Sequence, residues 1–311
     1  MKFQNKLYYI LIAARPNQWV KNFVIYTSIV FSGQLFEKDI FIATTVGFVI
    51  FCLLSSTSYI LNDIIDYPYD KKHPAKRNRP IAAGRLTIPD ATFVVFLLTL
   101  FTLTISLFFS TPFFLIAFVF LLLHFFYSLY FKTKPVLDIF AISFSFMLRA
   151  FAGQVISGYH IQIWLLLTIF FISLFLAAVK RHAELVAHGT DTRFSLYSYR
   201  EHFLNFLTST FATLTITTYS LYTFLERPPL IESPVSETFS QTLAFILPNF
   251  EARKWFMITI PLVVYGIARY ALLLYTKDQG ETPEKIITQD KPLMVTVGLW
   301  GIIVVGLIYL F

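Results

Sequence analysis

Long apolar runs recur along this chain, each close to the length a helix needs to cross a lipid bilayer, roughly 20 residues. Reading for such runs places spans near 20–36, 40–61, 90–110, 112–131, 137–157, 161–179, 203–224, 255–275 and 292–310. The expected fold is therefore all-α: a polytopic membrane helix bundle of about nine transmembrane helices, with residues 1–311 forming a single transmembrane domain. The Ser110-Thr111-Pro112 break should turn the third and fourth spans into a tight hairpin. Composition excludes a soluble alternative. Only 14% of the 311 residues are charged, against about 25% in a soluble domain. A mean hydropathy of +0.66 over the whole length is more than one globular core can hide, so lipid must solvate much of the surface. The lone cysteine, Cys52, lies in an apolar run and reads as a small buried hydrophobe. The opening MKFQNKLYYILIAARP has Lys2 and Lys6 before a short apolar run that Arg15-Pro16 ends. With no small-residue cleavage site after it, it reads as an uncleaved amphipathic helix.

The polar connections alternate in kind. Lys2, Lys6, Arg15 and Lys21 open a basic-rich set that continues through Lys71–Arg85, Lys132 and Lys134, Lys180–Arg200, and Lys277–Lys291. Nineteen of the 25 lysines and arginines fall there, while the intervening connections hold Lys38, Arg227, Arg253 and Lys254. Basic loops stay in the cytoplasm. The pattern places the protein in the inner membrane with the N-terminus cytoplasmic and, for nine spans, the C-terminus outside. The net charge of +7 is thus a topology signal, and nothing points to a nucleic-acid partner. Zinc-ligand spacing, a P-loop and GxGxxG are all absent from the sequence.

The most informative stretch is NDIIDYPYDKKHPAKRNRPIAAG, residues 62–84. Asn62, Asp66 and Asp70 recur every fourth residue and Asp63 precedes Asp66 by three. In a helix these four side chains cover an arc of roughly 100°. Carboxylates so crowded repel one another unless a cation lies between them, and hard oxygen ligands suit Mg²⁺, which commonly binds one or two carboxylates plus substrate phosphates. His73, Lys76, Arg77 and Arg79 follow at once and suit phosphate oxygens. Together they describe a diphosphate–Mg²⁺ site. A solvated topology loop would explain the basic residues but not the acids gathered on one face at the end of an apolar helix. Pro68 within the array argues for a broken helix there.

Asn62-xxx-Asp66-xxx-Asp70 with Arg79-Pro80 and Gly84 resembles the first aspartate-rich motif of the UbiA superfamily of intramembrane prenyltransferases. The resemblance implies a nine-helix bundle whose active site opens to the cytoplasm and laterally to lipid. Further segments are similar to the decaprenyl-phosphate phosphoribosyltransferase branch: Arg15-Pro16-x-Gln18-Trp19-x-Lys21-Asn22, His73-Pro74-x-Lys76-Arg77-x-Arg79-Pro80, Leu137-Asp138 through Arg149-Ala150, Lys180-Arg181-x-x-Glu184-Leu185, Tyr265-Gly266-x-x-Arg269-Tyr270 and Asp290-Lys291-Pro292-Leu293. One departure sharpens the choice. Prenyltransferases of the superfamily usually carry a second aspartate-rich motif after the sixth helix, where this chain offers Lys180, Arg181, Glu184, Asp191, Arg193 and Arg200 but no close aspartate pair. A donor bearing both a 5-phosphate and a diphosphate would use those extra basic contacts.

What the branch implies is a Mg²⁺-dependent enzyme of cell-envelope biosynthesis. It would transfer 5-phosphoribose from 5-phosphoribosyl 1-diphosphate to a polyprenyl phosphate in the lipid bilayer, releasing diphosphate. Asn62, Asp63, Asp66 and Asp70 would hold the metal; Arg15, Gln18, Lys21, His73, Lys76, Arg77, Arg79, Lys134, Lys180, Arg181, Glu184 and Arg200 would serve the substrates. Inside the fifth span, Asp138 and Arg149 have either a functional role or an ion pair that fixes the bundle. Arg269 faces the same choice. Two rivals remain: a UbiA-type aromatic prenyltransferase using a prenyl diphosphate, and a non-enzymatic lipid transporter, against which no duplicated motif is found.

Overall fold

A computed structural model describes residues 3–73, 76–188, 199–226, 252–276 and 290–309. Asp191, Arg193, Lys277, Lys285 and most of the 226–254 connection lie outside the described residues. Ten α-helices account for most of the rest, with no strand among the described residues: α1 Phe3–Ala14, α2 Thr27–Phe31, α3 Lys38–Asp70, α4 Ile88–Phe109, α5 Thr111–Leu129, α6 Leu137–Ser157, α7 Ile163–His188, α8 Glu201–Leu225, α9 Ile260–Thr276 and α10 Lys291–Tyr309. The all-α expectation holds.

Seven described helices are long and apolar enough to cross a membrane: α3, α4, α5, α6, α7, the stretch Trp255–Leu273 that includes most of α9, and α10. This is a multi-pass membrane protein. Among the described residues seven of the expected nine spans are matched. The first, at 20–36, is no spanning helix: Pro16–Tyr26 winds as a 3-10 helix and only Thr27–Phe31 is α-helical. Asn22 and Ser28 in this stretch are buried against protein, so its hydropathy reflects a protein interior. The 25-residue α8 matches the expected seventh span in place, but it is threaded with threonines.

The chain divides into two compact units, Met1–Tyr26 with Asp39–Gly158, and Thr27–Lys38 with Tyr159–Phe311. In the first, α3 has 33 residues, about 50 Å at 1.5 Å per residue, against a hydrocarbon core of about 30 Å. Its apolar part ends at Leu61, and Asn62–Asp70 form its polar last turns. Contrary to the expectation from Pro68, α3 does not break there but runs on to Asp70. The lost hydrogen bond falls in the last turn, and tight bonds from the Lys72 and His73 N–H groups to the carbonyls of Tyr69 and Asp70 close the end. The α4–α5 hairpin forms as expected: Ser110 ends α4 and caps α5, its hydroxyl accepting the Phe113 N–H at 3.2 Å. Phe51, Phe113 and Phe120 form the apolar centre between α3 and α5.

In the second unit α7 and α8 pack side by side, with Thr168 and Thr218 bonded at 3.2 Å. Tyr219 of α8 bonds Thr259 at 2.6 Å and accepts the Trp300 indole N–H at 2.8 Å. Arg269 takes the structural option: it pairs with Asp290 at 2.9 Å, while Asp290 caps α10 by accepting the Leu293 N–H at 3.0 Å.

Candidate active site

The aspartate face at the end of α3 is a charge cluster within the first unit. Asp63 is almost wholly buried and pairs with Arg15 and, at 3.1 Å, with Arg79. The same Arg79 nitrogen lies 2.7 Å from Asp70. On the other flank Asp66 pairs with Lys132, and its second oxygen accepts the Asn62 amide at 2.9 Å. The four residues read as one array thus divide into two pairs, 63 with 70 and 62 with 66, each meeting a different cation.

Local folding explains how Arg79 reaches the carboxylates. After the 3-10 turn Lys76–Asn78, the Pro80 carbonyl accepts the N–H groups of Arg85 and Leu86 at 2.9 and 3.0 Å. Gly84 closes this turn with φ +73, a conformation that costs glycine little. The turn buries Ile81 and Leu86 against Ala13, Ile60 and Ala91, and that apolar anchor turns Arg79 back over α3. His73 accepts the Lys76 N–H at 3.3 Å, and Arg77 is exposed.

Arg15 approaches from the far side. It sits at φ 52 between α1 and Pro16, in the left-handed region that non-glycine residues rarely occupy. Its guanidinium lies 5.3 Å from the Tyr59 ring centroid. The following residues lie along α3: Trp19 donates to Ser56 at 3.0 Å, Ser56 donates to the Ala14 carbonyl at 3.1 Å, and Asn22 donates to Cys52 at 3.3 Å. Lys21 and Gln18 on this stretch are partly exposed.

Asp138, at the start of α6, is fully buried and its Oδ1 accepts the Ile139 N–H at 2.9 Å. The preceding Val136 has φ 69, a strained value for a β-branched residue. Lys134 is exposed, 5.3 Å from the Tyr130 ring centroid. Lys132 is therefore the basic residue of this turn that meets the aspartates, a role assigned to no residue by the sequence, where it counted only toward topology. Its one signal was a place two residues nearer α5 than Lys134.

Arg149 is 2% exposed. It donates to Asn22 at 2.7 Å, to the Ser145 carbonyl and hydroxyl at 2.8 Å each, and to Ser55 at 3.3 Å. The rings of Phe120 and Phe146 flank it at 4.7 and 5.3 Å. No carboxylate is among these partners, so the ion pair expected as its structural option is absent among the described residues. Lys180, Arg181, Glu184 and Arg200 belong to the second unit. There Arg181 is buried and pairs with Glu184 one helical turn on, and Arg200 is exposed at the start of α8.

Among the described residues no three His, Cys, Asp or Glu side chains are close enough to hold one ion together. The donors nevertheless fit Mg²⁺ as it binds in phosphate sites, through one or two carboxylates. All are hard oxygens, and Asp63 Oδ2 is buried with no hydrogen-bond partner among the described residues.

An all-helical membrane fold with an aspartate-rich helix end ringed by arginine and lysine defines a class, and the chain belongs to the UbiA prenyltransferase family, which it matches over residues 23–288. Solved structures agree on the fold: a UbiA homologue from Archaeoglobus fulgidus bound to GPP and Mg²⁺ superposes with a TM-score of 0.68 at 16% identity, covering 96% of this chain and 99% of that one. Within the family the chain is similar to decaprenyl-phosphate phosphoribosyltransferases. That of Corynebacterium glutamicum is 33% identical over 306 residues, 96% of this chain and 86% of the relative. That of Mycolicibacterium smegmatis is 33% identical over 300 residues, 94% and 89%.

Proposed function

We propose that this protein transfers 5-phosphoribose from 5-phosphoribosyl 1-diphosphate to a polyprenyl phosphate. The observation that carries the reading is 33% identity to a decaprenyl-phosphate phosphoribosyltransferase along almost the whole chain. The missing second aspartate pair after α7 supports it against a prenyl diphosphate donor. An oxygen of the acceptor phosphate attacks the anomeric carbon, the bond from that carbon to the diphosphate oxygen breaks, and diphosphate leaves. The nucleophile is already anionic and needs no strong general base.

In this reading one or two carboxylates of the Asn62, Asp63, Asp66 and Asp70 face would hold Mg²⁺ together with the donor's phosphates, and the metal would supply charge neutralisation for the leaving diphosphate. Arg15, Arg79 and Lys132 line the same face and take diphosphate oxygens when the donor is bound. Lys21, Gln18, His73, Lys76, Arg77 and Lys134 guide the phosphates of donor and acceptor, and Asp138 at the start of α6 takes part in the chemistry, as the resemblance implies. For the second unit the assignment rests on sequence alone: Lys180, Arg181 and Arg200 contact the donor, with Glu184 orienting Arg181. The active face is cytoplasmic in an inner membrane, the C-terminus is outside, and the whole chain acts as one catalytic domain.

The test is turnover by purified, detergent-solubilised protein given labelled phosphoribosyl diphosphate, a polyprenyl phosphate and Mg²⁺. Label should enter the organic phase with Mg²⁺ and not with EDTA. Absence of transfer, with a prenyl diphosphate consumed when an aromatic acceptor is supplied, would make the protein an aromatic prenyltransferase.

A further inference from the structure

Arg149 presents a physical problem. A guanidinium withdrawn from water and given no counter-anion carries a desolvation cost that neutral hydrogen bonds repay only in part. Its hydrogen-bond partners among the described residues are neutral side chains and a backbone carbonyl. What it joins is informative: Asn22 of the 16–26 stretch, Ser55 of α3 and Ser145 of its own helix α6.

These contacts end a polar stripe along α3. Cys52, Ser55, Ser56, Tyr59 and Asp63 stand at offsets of three, four, seven and eleven, one helical face. Each meets the N-terminal stretch in order: Cys52 and Ser55 bond Asn22, Ser56 bonds Trp19 and the Ala14 carbonyl, Tyr59 lies against Arg15, and Asp63 pairs with Arg15. Gly153 of α6 closes the other side; a Cβ there would lie 2.0 Å from the Ile25 carbonyl oxygen. The stretch is clamped at its inner end by Arg149 and Gly153, and it delivers Arg15 at its outer end in a left-handed backbone conformation that isolated residues avoid.

We infer that Arg149 is a positioning residue: acting through Asn22, it fixes the 16–26 stretch and thereby sets Arg15 on Asp63. The inference rests on the reading that the aspartate face binds the donor. A specific fastening explains the expense of an unpaired buried cation better than general packing does, since an apolar side chain would fill the space at lower cost.

The experiment is backbone hydrogen exchange by mass spectrometry on the full-length protein in detergent, alongside donor kinetics, for Asn22→Ala, Arg149→Met and Asn22→Asp. Loss of one hydrogen bond to a charged group corresponds to about tenfold or more. Asn22→Ala and Arg149→Met should speed exchange across 16–26 by about that factor, leave exchange in α4 unchanged, and lower kcat/KM for the donor. Asn22→Asp keeps an acceptor for Arg149 and should restore protection. Unchanged exchange across 16–26 in both Asn22→Ala and Arg149→Met overturns the inference, as does loosening spread evenly over the unit. Exchange is read whether or not the protein transfers phosphoribose, so failure of the functional reading would show as absent turnover in the wild type with the exchange pattern intact. Should Arg149→Met not fold, Asn22→Ala decides alone.

Discussion

One nitrogen of Arg79 serves two carboxylates, standing 3.1 Å from Asp63 and 2.7 Å from Asp70. A point cation at that position could meet both, so Arg79→Lys should keep most of the stability. Arg79→Ala should not. It strands Asp70, whose side chain is 4% exposed, and halves the compensation of Asp63. Removing one partner of a buried pair costs about 3–5 kcal/mol, which thermal melts in detergent would show as a clear fall in Tm. Equal melts for the two variants would contradict this geometry.

Asp66 is the carboxylate whose partners, Lys132 and Asn62, are both outside the Arg15–Arg79 pairs. Asp66→Ala should therefore leave folding nearly intact while lowering turnover at saturating Mg²⁺ by about a hundredfold, the order seen when one electrostatic stabiliser is lost. Undiminished turnover would remove Asp66 from metal binding.

Lys132→Met should raise the donor KM about tenfold, the value of one charge-assisted contact, whereas Lys134→Met should change it little. The contrast between neighbours two residues apart is measured with initial rates against donor concentration. A larger effect at Lys134 would reverse the assignment.

Gly153→Ala places a methyl group against backbone, which cannot swing aside as a side chain can. Overpacking of this kind costs about 1–3 kcal/mol, read as a lower Tm. At Gly266, where an added Cβ meets nothing within 4 Å, the alanine variant should melt with the wild type.

Asp290→Ala should cost about 1 kcal/mol, the usual worth of a helix N-cap, without altering the donor KM. The pair it breaks with Arg269 is partly exposed on the arginine side, 29%, and adds little.

Much of this was legible in the sequence. The helices at 88–109, 111–129, 137–157 and 291–309 fall within two residues of the expected spans, because long apolar runs bounded by serine, proline or charge leave little choice. The 16–31 stretch was misread because hydropathy does not separate lipid from protein as the apolar neighbour. Its Trp19 and Asn22, part of the segment that resembles the phosphoribosyltransferase branch, hold the chain against α3. Pro68 misled because a proline in a terminal turn forfeits one hydrogen bond and need not end the helix. The acidic face was visible from periodicity, but not its division into two flanks, which depends on which loops fold back. Lys132 and Lys134 share a three-residue 3-10 turn and its end, and sequence could not rank them.

The length of α3 sets a height. With the apolar turns through Leu61 filling the hydrocarbon, the acidic turns would stand just past it, and the proposed phosphate chemistry would occur at that level. In the proposed function a polyprenyl phosphate resting in the membrane would present its phosphate near that level and react without leaving the bilayer. Added isoprene units then lengthen only the part dissolved in lipid, so the energy of reaching the site is nearly the same for a short tail and a long one. An enzyme so placed would recognise its acceptor mainly by the headgroup.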